Sequence, residues 1–309
     1  MRTSRRNFLR TSALAVAALP LSTQVWGSPR PRKELFKISL AQWSLHRSIF
    51  AEKIDNLDFA SVAAENGILG LEYVNQFFME KAEDTDYLNE MKMRAEDVGA
   101  TNILIMCDRE GNLGDPDAKL RRESVERHFK WVTAAKHLGC HSIRVNGYSE
   151  GSYDEQMKLV ADGLHQLCNF GDEHGLHVII ENHGGYSSSG KWLAGTIEMA
   201  DHPRAGTLPD FGNFRIDEET TYDSYRGVEE LMPYATGVSV KPNVYDDDGN
   251  SSHLDYERMM RIVLAAGYNG YCGIEHGPED REIEGILEVK AALESVHETL
   301  AAEMEQGSR

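Results

Sequence analysis

Three carboxylates that could bind a metal ion follow short apolar runs of the sequence. Glu181 follows Val-Ile-Ile, Asp210 follows Thr-Leu-Pro, and Glu275 follows Tyr-Cys-Gly-Ile. Brought together between apolar walls, these carboxylates would repel one another and their pKa values would rise. A divalent cation would remove that conflict, with Mg²⁺ or Mn²⁺ favoured by oxygen ligands and Co²⁺ or Zn²⁺ by an added imidazole. The three are the predicted metal ligands, and a structural salt bridge or helix cap is the alternative for each.

Two further side chains near these carboxylates could take part in proton transfer. Lys241 ends the segment Gly-Val-Ser-Val-Lys, where it could clamp a substrate or stabilise an enediolate. A salt bridge to Glu181 or Asp210 is the alternative for this lysine. His183 precedes two glycines that would let a substrate approach closely. The predicted catalytic residues are Glu181, Glu275, Lys241 and His183.

Other polar and aromatic residues lie at or near the ends of further apolar runs. Their amide, imidazole and carboxylate groups are suited to binding hydroxyl groups. Trp43 could stack on a ring of a ligand, although packing in the core is the alternative. The predicted substrate-binding residues are Gln42, Trp43, His46, Glu72, Asn146, Asn213 and His276.

All of these residues belong to one repeating pattern of short apolar runs and longer amphipathic stretches. The predicted strands are Phe36–Gln42, Gly70–Val74, Thr101–Cys107, Ser142–Asn146, His177–Asn182, Gly206–Asp210, Gly237–Lys241 and Gly270–Glu275. The predicted helices are Asp55–Asn66, Tyr87–Val98, Lys119–Leu138, Glu155–His174, Gly190–Ala200, Tyr222–Met232, Tyr256–Ala266 and Glu282–Glu303. Glycines at 99, 139, 175 and 267 follow four of these helices, as helix ends require.

Eight strands alternating with eight helices predict an α/β fold with a single (β/α)8 TIM barrel. A doubly wound open sheet is the competing arrangement, but no G-x-G-x-x-G follows the first strand and no P-loop is present. In a barrel the carboxyl ends of the strands form the active face. The polar residues above should therefore surround one common centre.

The segments Ile-Ile-Glu181-Asn-His-Gly-Gly, Asp210-Phe-Gly-Asn213, Val-Ser-Val-Lys241 and Gly-Tyr-Cys-Gly-Ile-Glu275 resemble the sugar phosphate isomerase/epimerase superfamily, with its xylose-isomerase-like barrel. The resemblance covers roughly residues 34 to 300. It implies a divalent metal held by Glu, Asp, His and Glu on the fifth to eighth strands, and chemistry at a carbon next to a sugar carbonyl. By position, Glu181, Asp210 and Glu275 match three of these ligands.

The fourth ligand departs from the family pattern. The usual His-x-His-x-Lys of the seventh strand reads Gly237-Val238-Ser239-Val240-Lys241, so the lysine is kept and both histidines are absent. The alternatives are that water takes the fourth ligand position, that His183 or His276 takes it, or that the metal is weakly bound or lost.

The resemblance and the residues together predict a metal-dependent sugar isomerase or epimerase that uses enediolate chemistry. Either Glu181 or Glu275 would remove the proton next to the carbonyl. Expulsion of a β-substituent from the same enolate would make the protein a keto-glycoside lyase. A non-catalytic sugar-binding barrel is the third alternative, prompted by Ser239.

The first 33 residues have the features of a removable leader. Four arginines and no acidic residue lie in the first 27 positions, and Ser-Arg5-Arg6-Asn-Phe-Leu-Arg resembles the twin-arginine signature of exported bacterial proteins. An apolar run too short to span a membrane follows it. We expect a signal peptide and leader at 1–33, a barrel at 34–303, and export to the periplasm.

The net charge sets the expected partners. The 32 basic and 50 acidic residues give −18, which argues against binding nucleic acid. Without a visible basic phosphate cluster, an unphosphorylated sugar or keto-sugar is the expected small-molecule partner. Membrane contact is expected only through the export signal, and a homo-oligomer is left open.

Overall fold

The computed structural model describes residues 34–276 and 281–307, and the predicted signal peptide lies outside these ranges. Eight parallel strands form the central sheet: β1 (Lys37–Ala41), β2 (Gly70–Val74), β3 (Thr101–Met106), β4 (Ser142–Asn146), β5 (His177–Glu181), β6 (Ala205–Leu208), β7 (Val238–Val240) and β10 (Tyr271–Ile274). Their order is β6-β5-β4-β3-β2-β1-β10-β7. Two isolated parallel bridges, Thr207 with Ala235 and Asp210 with Ser239, join the segments at the two ends of this order. The predicted (β/α)8 TIM barrel is confirmed.

Helices cover the outside of the barrel and alternate with its strands. They are α1 (His46–Phe50), α2 (Phe59–Glu65), α3 (Thr85–Asp97), α4 (Ala118–Leu138), α5 (Tyr153–His174), α6 (Gly190–Ala200), α7 (Ser224–Leu231), α8 (Tyr256–Ala265) and α9 (Glu282–Gly307). Helix α1 was not predicted, and neither was a two-stranded antiparallel hairpin of β8 (Asn243–Tyr245) and β9 (Ser251–His253).

Helices α4 and α5 have capping residues at both ends, and the glycines after them were predicted. The Asp117 side chain accepts the first backbone N–H groups of α4, and Ser152 with Glu155 forms a capping box at α5. Gly139 and Gly175 end the same two helices at φ +84° and +71°, in the left-handed region that favours glycine. These caps fix the residues at which α4 and α5 begin and end.

Several strands end one or two residues before their predicted limits. Gln42 was predicted to end the first strand, but it begins a 3₁₀ turn that runs to Leu45. The sixth strand stops at Leu208 because Pro209 has no N–H to donate to a sheet. Asp210 therefore lies beyond β6, where an isolated parallel bridge pairs it with Ser239.

The hydrophobic core has two parts. The larger part fills the space between strands and helices and includes the buried rings of Phe59, Trp131 and Trp192. A smaller cluster, which includes Ile103, Met106 and other strand residues, is separate from it. Within the described ranges, no helix is long and apolar enough to cross a membrane.

Candidate functional site

Three buried carboxylates meet at the carboxyl ends of the strands. Glu181 is the last residue of β5, Asp210 follows β6, and Glu275 follows β10 directly. One oxygen from each lies within 4.8 Å of the others, and all three side chains are buried. These residues, called the acidic triad below, could therefore bind a metal ion.

Asp210 is the most firmly held member of the acidic triad. Its Oδ1 accepts hydrogen bonds of 2.8 Å from the backbone N–H groups of Gly212 and Asn213. Its Oδ2 accepts one of 2.8 Å from the Ser239 hydroxyl. The Asn182 side chain accepts from the Asp210 backbone N–H at 2.7 Å. Ser239, which stands where the family has a histidine, thus orients a triad carboxylate.

Lys241 joins two members of the acidic triad. Its Nζ lies 2.7 Å from Asp210 Oδ2 and 2.6 Å from Glu275 Oε1. Burial lowers the pKa of Lys241, but the negative charges of Asp210, Glu275 and Glu181 outweigh this effect and raise it overall. Lys241 is therefore a cation at neutral pH. It makes a salt bridge to Asp210, which the sequence offered as the alternative to a catalytic role.

Glu181 is paired with a second cation, Arg144 of β4. Arg144 Nε lies 2.6 Å from Glu181 Oε2, and the Asn213 amide donates to Glu181 Oε1 at 2.9 Å. Burial raises the pKa of Glu181 to about 8, and the charge of Arg144 lowers it only in part. The protonation of this carboxyl therefore depends on the cations around it.

Arg144, Asp108 and Tyr148 were not predicted as site residues. Arg144 Nη1 contacts Asp108 Oδ1 at 3.0 Å, and the Tyr148 hydroxyl shares a hydrogen bond of 2.7 Å with His183 Nδ1. The available signal was the two-residue period of β4, which places Arg144 on the same side of the strand as Asn146.

The oxygens of the acidic triad suit a cation. Glu181 Oε2 and Glu275 Oε2 are buried, and neither accepts a hydrogen bond from the described residues. Glu181 Oε2 is close to Arg144 Nε, but the pair lacks hydrogen-bond geometry. Buried carboxylate oxygens without donors are costly unless a cation satisfies them. The acidic triad therefore fits a divalent ion, with ligands that are all oxygen.

A cavity of about 330 Å³ opens beside the acidic triad. Its lining includes Trp43, His46, Asn213, Lys241, Glu275 and His276. Trp43 and His46 stack with ring centroids 4.6 Å apart and form an aromatic wall. The volume is at the lower end of the range for small-molecule sites, which is about 300–1,000 Å³.

A larger cavity, of about 810 Å³, lies at the opposite end of the barrel. Lys37, Gly70, Thr101 and Tyr271, which start four of the strands, line it. Active sites of TIM barrels lie at the carboxyl ends of the strands, so the smaller cavity is the candidate site.

The remaining predicted residues take different places. Gln42 is buried, donates to Asn56 and accepts from the Val74 N–H, away from the cavity. Glu72 is buried inside the barrel and accepts from Ser39 Oγ at 2.6 Å. Asn146 donates to Asp108 at 2.8 Å, on the Arg144 side of the site. His183 is paired with Tyr148, and burial lowers its pKa, which favours the neutral ring.

The sequence matches the model of the xylose isomerase-like TIM barrel family over residues 60–296. The chain belongs to this family. No curated protein matches the sequence significantly.

Solved structures show the same fold in proteins of different activity. The 3-keto-D-glucoside 4-epimerase from E. coli is 17% identical with a TM-score of 0.65, over 84% of this chain and 99% of that chain. A xylose isomerase-like TIM barrel protein from Mycobacterium smegmatis, in complex with magnesium, is 15% identical with a TM-score of 0.65, over 86% and 97%. An AP endonuclease, family 2, from Brucella melitensis is 16% identical with a TM-score of 0.61, over 81% and 96%. At these identities the similarity establishes the fold.

Proposed function

We propose that this protein is a metal-dependent sugar isomerase or epimerase that removes a proton next to a carbonyl group. The observation that carries the proposal is the acidic triad, of which Glu275 lines, together with Lys241, a cavity with an aromatic wall. The family and the similarity to a 3-keto-D-glucoside 4-epimerase support it. Mg²⁺ or Mn²⁺ fits the all-oxygen ligands best, whereas Co²⁺ or Zn²⁺ would favour an imidazole such as His183 or His276.

Glu275 is the better of the two candidate bases. It lines the cavity, and its Oε2 accepts no hydrogen bond from the described residues. Glu181 is more enclosed: its side chain is fully buried, it does not line the cavity, and Asn213 donates to its Oε1. A base must reach the proton that it removes, which favours Glu275 for abstraction and Glu181 for holding the metal.

The other side chains would bind and orient the sugar. A divalent ion on the acidic triad would supply Lewis-acid chemistry at the carbonyl and the neighbouring oxygen. Lys241 would donate a hydrogen bond to an oxygen that gains negative charge during proton removal. Trp43 lines the cavity with its ring stacked on His46. The neutral His183 ring, hydrogen-bonded to Tyr148, would bind a substrate hydroxyl.

The proposed substrate is an unphosphorylated sugar or keto-sugar, met in the periplasm after export by the twin-arginine route. Among the described residues that line the cavity, Lys241 is the one lysine or arginine, and two carboxylates already neutralise it. A phosphate group needs unpaired cations or a helix N-terminus. A phosphorylated substrate is therefore disfavoured at this cavity.

The decisive experiment follows solvent deuterium into 3-keto-glucoside or fructose, with Mn²⁺ present. We expect exchange next to the carbonyl in the wild type. The Glu275→Gln variant should lose a factor of about 10² to 10⁴ in rate, which is typical when a general base is removed. The Glu150→Gln variant, changed in an exposed loop residue, is the matched control and should exchange normally.

The possible results separate the alternatives. Exchange that Glu275→Gln leaves unchanged would refute the assignment of the base. Exchange accompanied by release of the aglycone from the keto-glucoside would identify a lyase. Sugar binding without exchange in any ketose would identify a non-catalytic sugar-binding barrel.

A further inference from the structure

The acidic triad has two internal cations, and the fold holds them differently. Arg144 contacts Glu181 and Asp108, and only 5% of its side chain is exposed. Asp108 is itself fixed, because Asn146 donates to its Oδ1 at 2.8 Å and Gln76 donates to its Oδ2 at 3.0 Å. Movement of Arg144 would leave several buried polar groups unpaired, so this cation is a fixed part of the barrel.

The second cation, Lys241, stands at the open side of the acidic triad. Its side chain is 22% exposed and lines the cavity. The stem lies against Gly212, where a Cβ atom would come within 3.1 Å of Lys241 Cβ and Cδ. A lysine side chain has several rotatable bonds, so the ammonium can leave the carboxylates and stay in the cavity.

Lys241 Nζ bridges Asp210 and Glu275, two of the three carboxylates that would hold a metal ion. It lies 2.7 and 2.6 Å from one oxygen of each, whereas Mg²⁺ binds oxygens at about 2.0–2.1 Å. An ammonium and a divalent ion on the same two carboxylates would repel each other strongly in this buried site. One of them must therefore withdraw when the other binds.

We propose that Lys241 is the exchangeable cation of the acidic triad, displaced into the cavity when a divalent ion binds. The displaced ammonium then points to where a substrate oxygen would lie. Metal binding therefore also places a hydrogen-bond donor in the cavity. With no metal, Lys241 offsets part of the negative charge of Asp210 and Glu275. This inference deepens the proposed function, since it concerns the metal that the proposed reaction uses.

The test measures Mn²⁺ binding by titration calorimetry on the full-length folded protein, without any sugar. We expect Lys241→Met to bind Mn²⁺ about tenfold more tightly than the wild type, or better, because a competing charge is gone. Lys81→Met removes an exposed lysine paired with Asp84 at 2.8 Å and should leave Mn²⁺ affinity unchanged. A smaller gain for Lys241→Met, or any loss, would overturn the proposal.

A second measurement uses the unmodified chain and does not depend on how the variant folds. Reductive methylation followed by mass spectrometry reports how accessible each lysine is. Lys241 should react slowly without metal and at least about threefold faster with saturating Mn²⁺, while Lys81 reacts equally in both. An equal rate at Lys241 would show that the ammonium is not displaced. Neither measurement uses a sugar, so a failure here is distinct from a failure of the isomerase proposal.

Discussion

At the scale of single residues, Glu72 is a buried carboxyl inside the barrel with one hydrogen-bond donor, Ser39. Its Oε2 has no partner among the described residues, and a Cβ at Gly273 would lie 2.4 Å from both of its oxygens. Glycine at 273 therefore makes room for this side chain. Burial raises the pKa of Glu72 from 4.5 to about 7, and Ser39 lowers it only in part.

The raised pKa predicts a pH dependence of stability. Below pH 4.5 the carboxyl is protonated in both folded and unfolded chains; between 4.5 and about 7 only the folded chain keeps the proton. The free energy of unfolding should therefore fall as pH rises through this window, by about 3 kcal/mol from Glu72 alone. The glutamine of Glu72→Gln is neutral at every pH. The decrease in the free energy of unfolding between pH 4.5 and 8, measured by urea titration, should therefore be smaller in this variant by that amount.

The control for this prediction is Glu80→Gln, which changes an exposed glutamate after β2. It should follow the wild type at both pH values. If the free energies of unfolding of Glu72→Gln and the wild type differ by the same amount at both pH values, the pKa of Glu72 is not raised in the folded protein.

The sequence predicts the acidic triad because its members follow apolar strand segments. It does not predict the role of Arg144, because the period of β4 places this residue on the same face as Asn146 but does not show that Glu181 and Asp108 lie within its reach. The partners of Lys241 were predicted only in part. A salt bridge to Asp210 was considered from the sequence, whereas the salt bridge to Glu275 was not.

At the scale of elements, helix α5 approaches the loop after β3 closely at Gly163. A Cβ there would lie 1.9 Å from the backbone oxygen of Leu113. Backbone cannot move aside as a side chain can, so we expect Gly163→Ala to lower the free energy of unfolding by about 2 to 3 kcal/mol. The measurement is urea denaturation followed by circular dichroism.

Gly195 of α6 is the matched control for Gly163. A Cβ there would lie 3.2 Å from the flexible end of Met157. Alanine is a better helix former than glycine, so Gly195→Ala should be neutral or stabilising by up to about 1 kcal/mol. Equal effects of the two substitutions would contradict the role given to the contact at Leu113.

Elements with a strong period were predictable, and short polar ones were not. β2, β4 and α6 have the predicted limits. The β8–β9 hairpin was missed, since each strand has three residues and β9 is exposed throughout. Such strands bury too little to leave a hydrophobic pattern in the sequence.

At the scale of the whole molecule, the state of the cysteines is compatible with folding in a reducing compartment. All four cysteines, Cys107, Cys140, Cys168 and Cys272, are buried and free, so the core needs no oxidising compartment. A metal bound to the buried acidic triad would be acquired where the chain folds. Both features agree with the proposed twin-arginine route, which carries folded proteins.

The proposed export makes a prediction about the leader itself. Replacing Arg5 and Arg6 with lysine keeps the charge but removes the arginine pair that the route recognises. We expect this double variant to accumulate folded in the cytoplasm of a bacterial host, while the wild type reaches the periplasm. Arg2→Lys with Arg10→Lys is the matched control, with two equal changes outside the pair, and should be exported normally. The measurement is cell fractionation with immunoblotting, and full export of the Arg5, Arg6 variant would exclude the twin-arginine route.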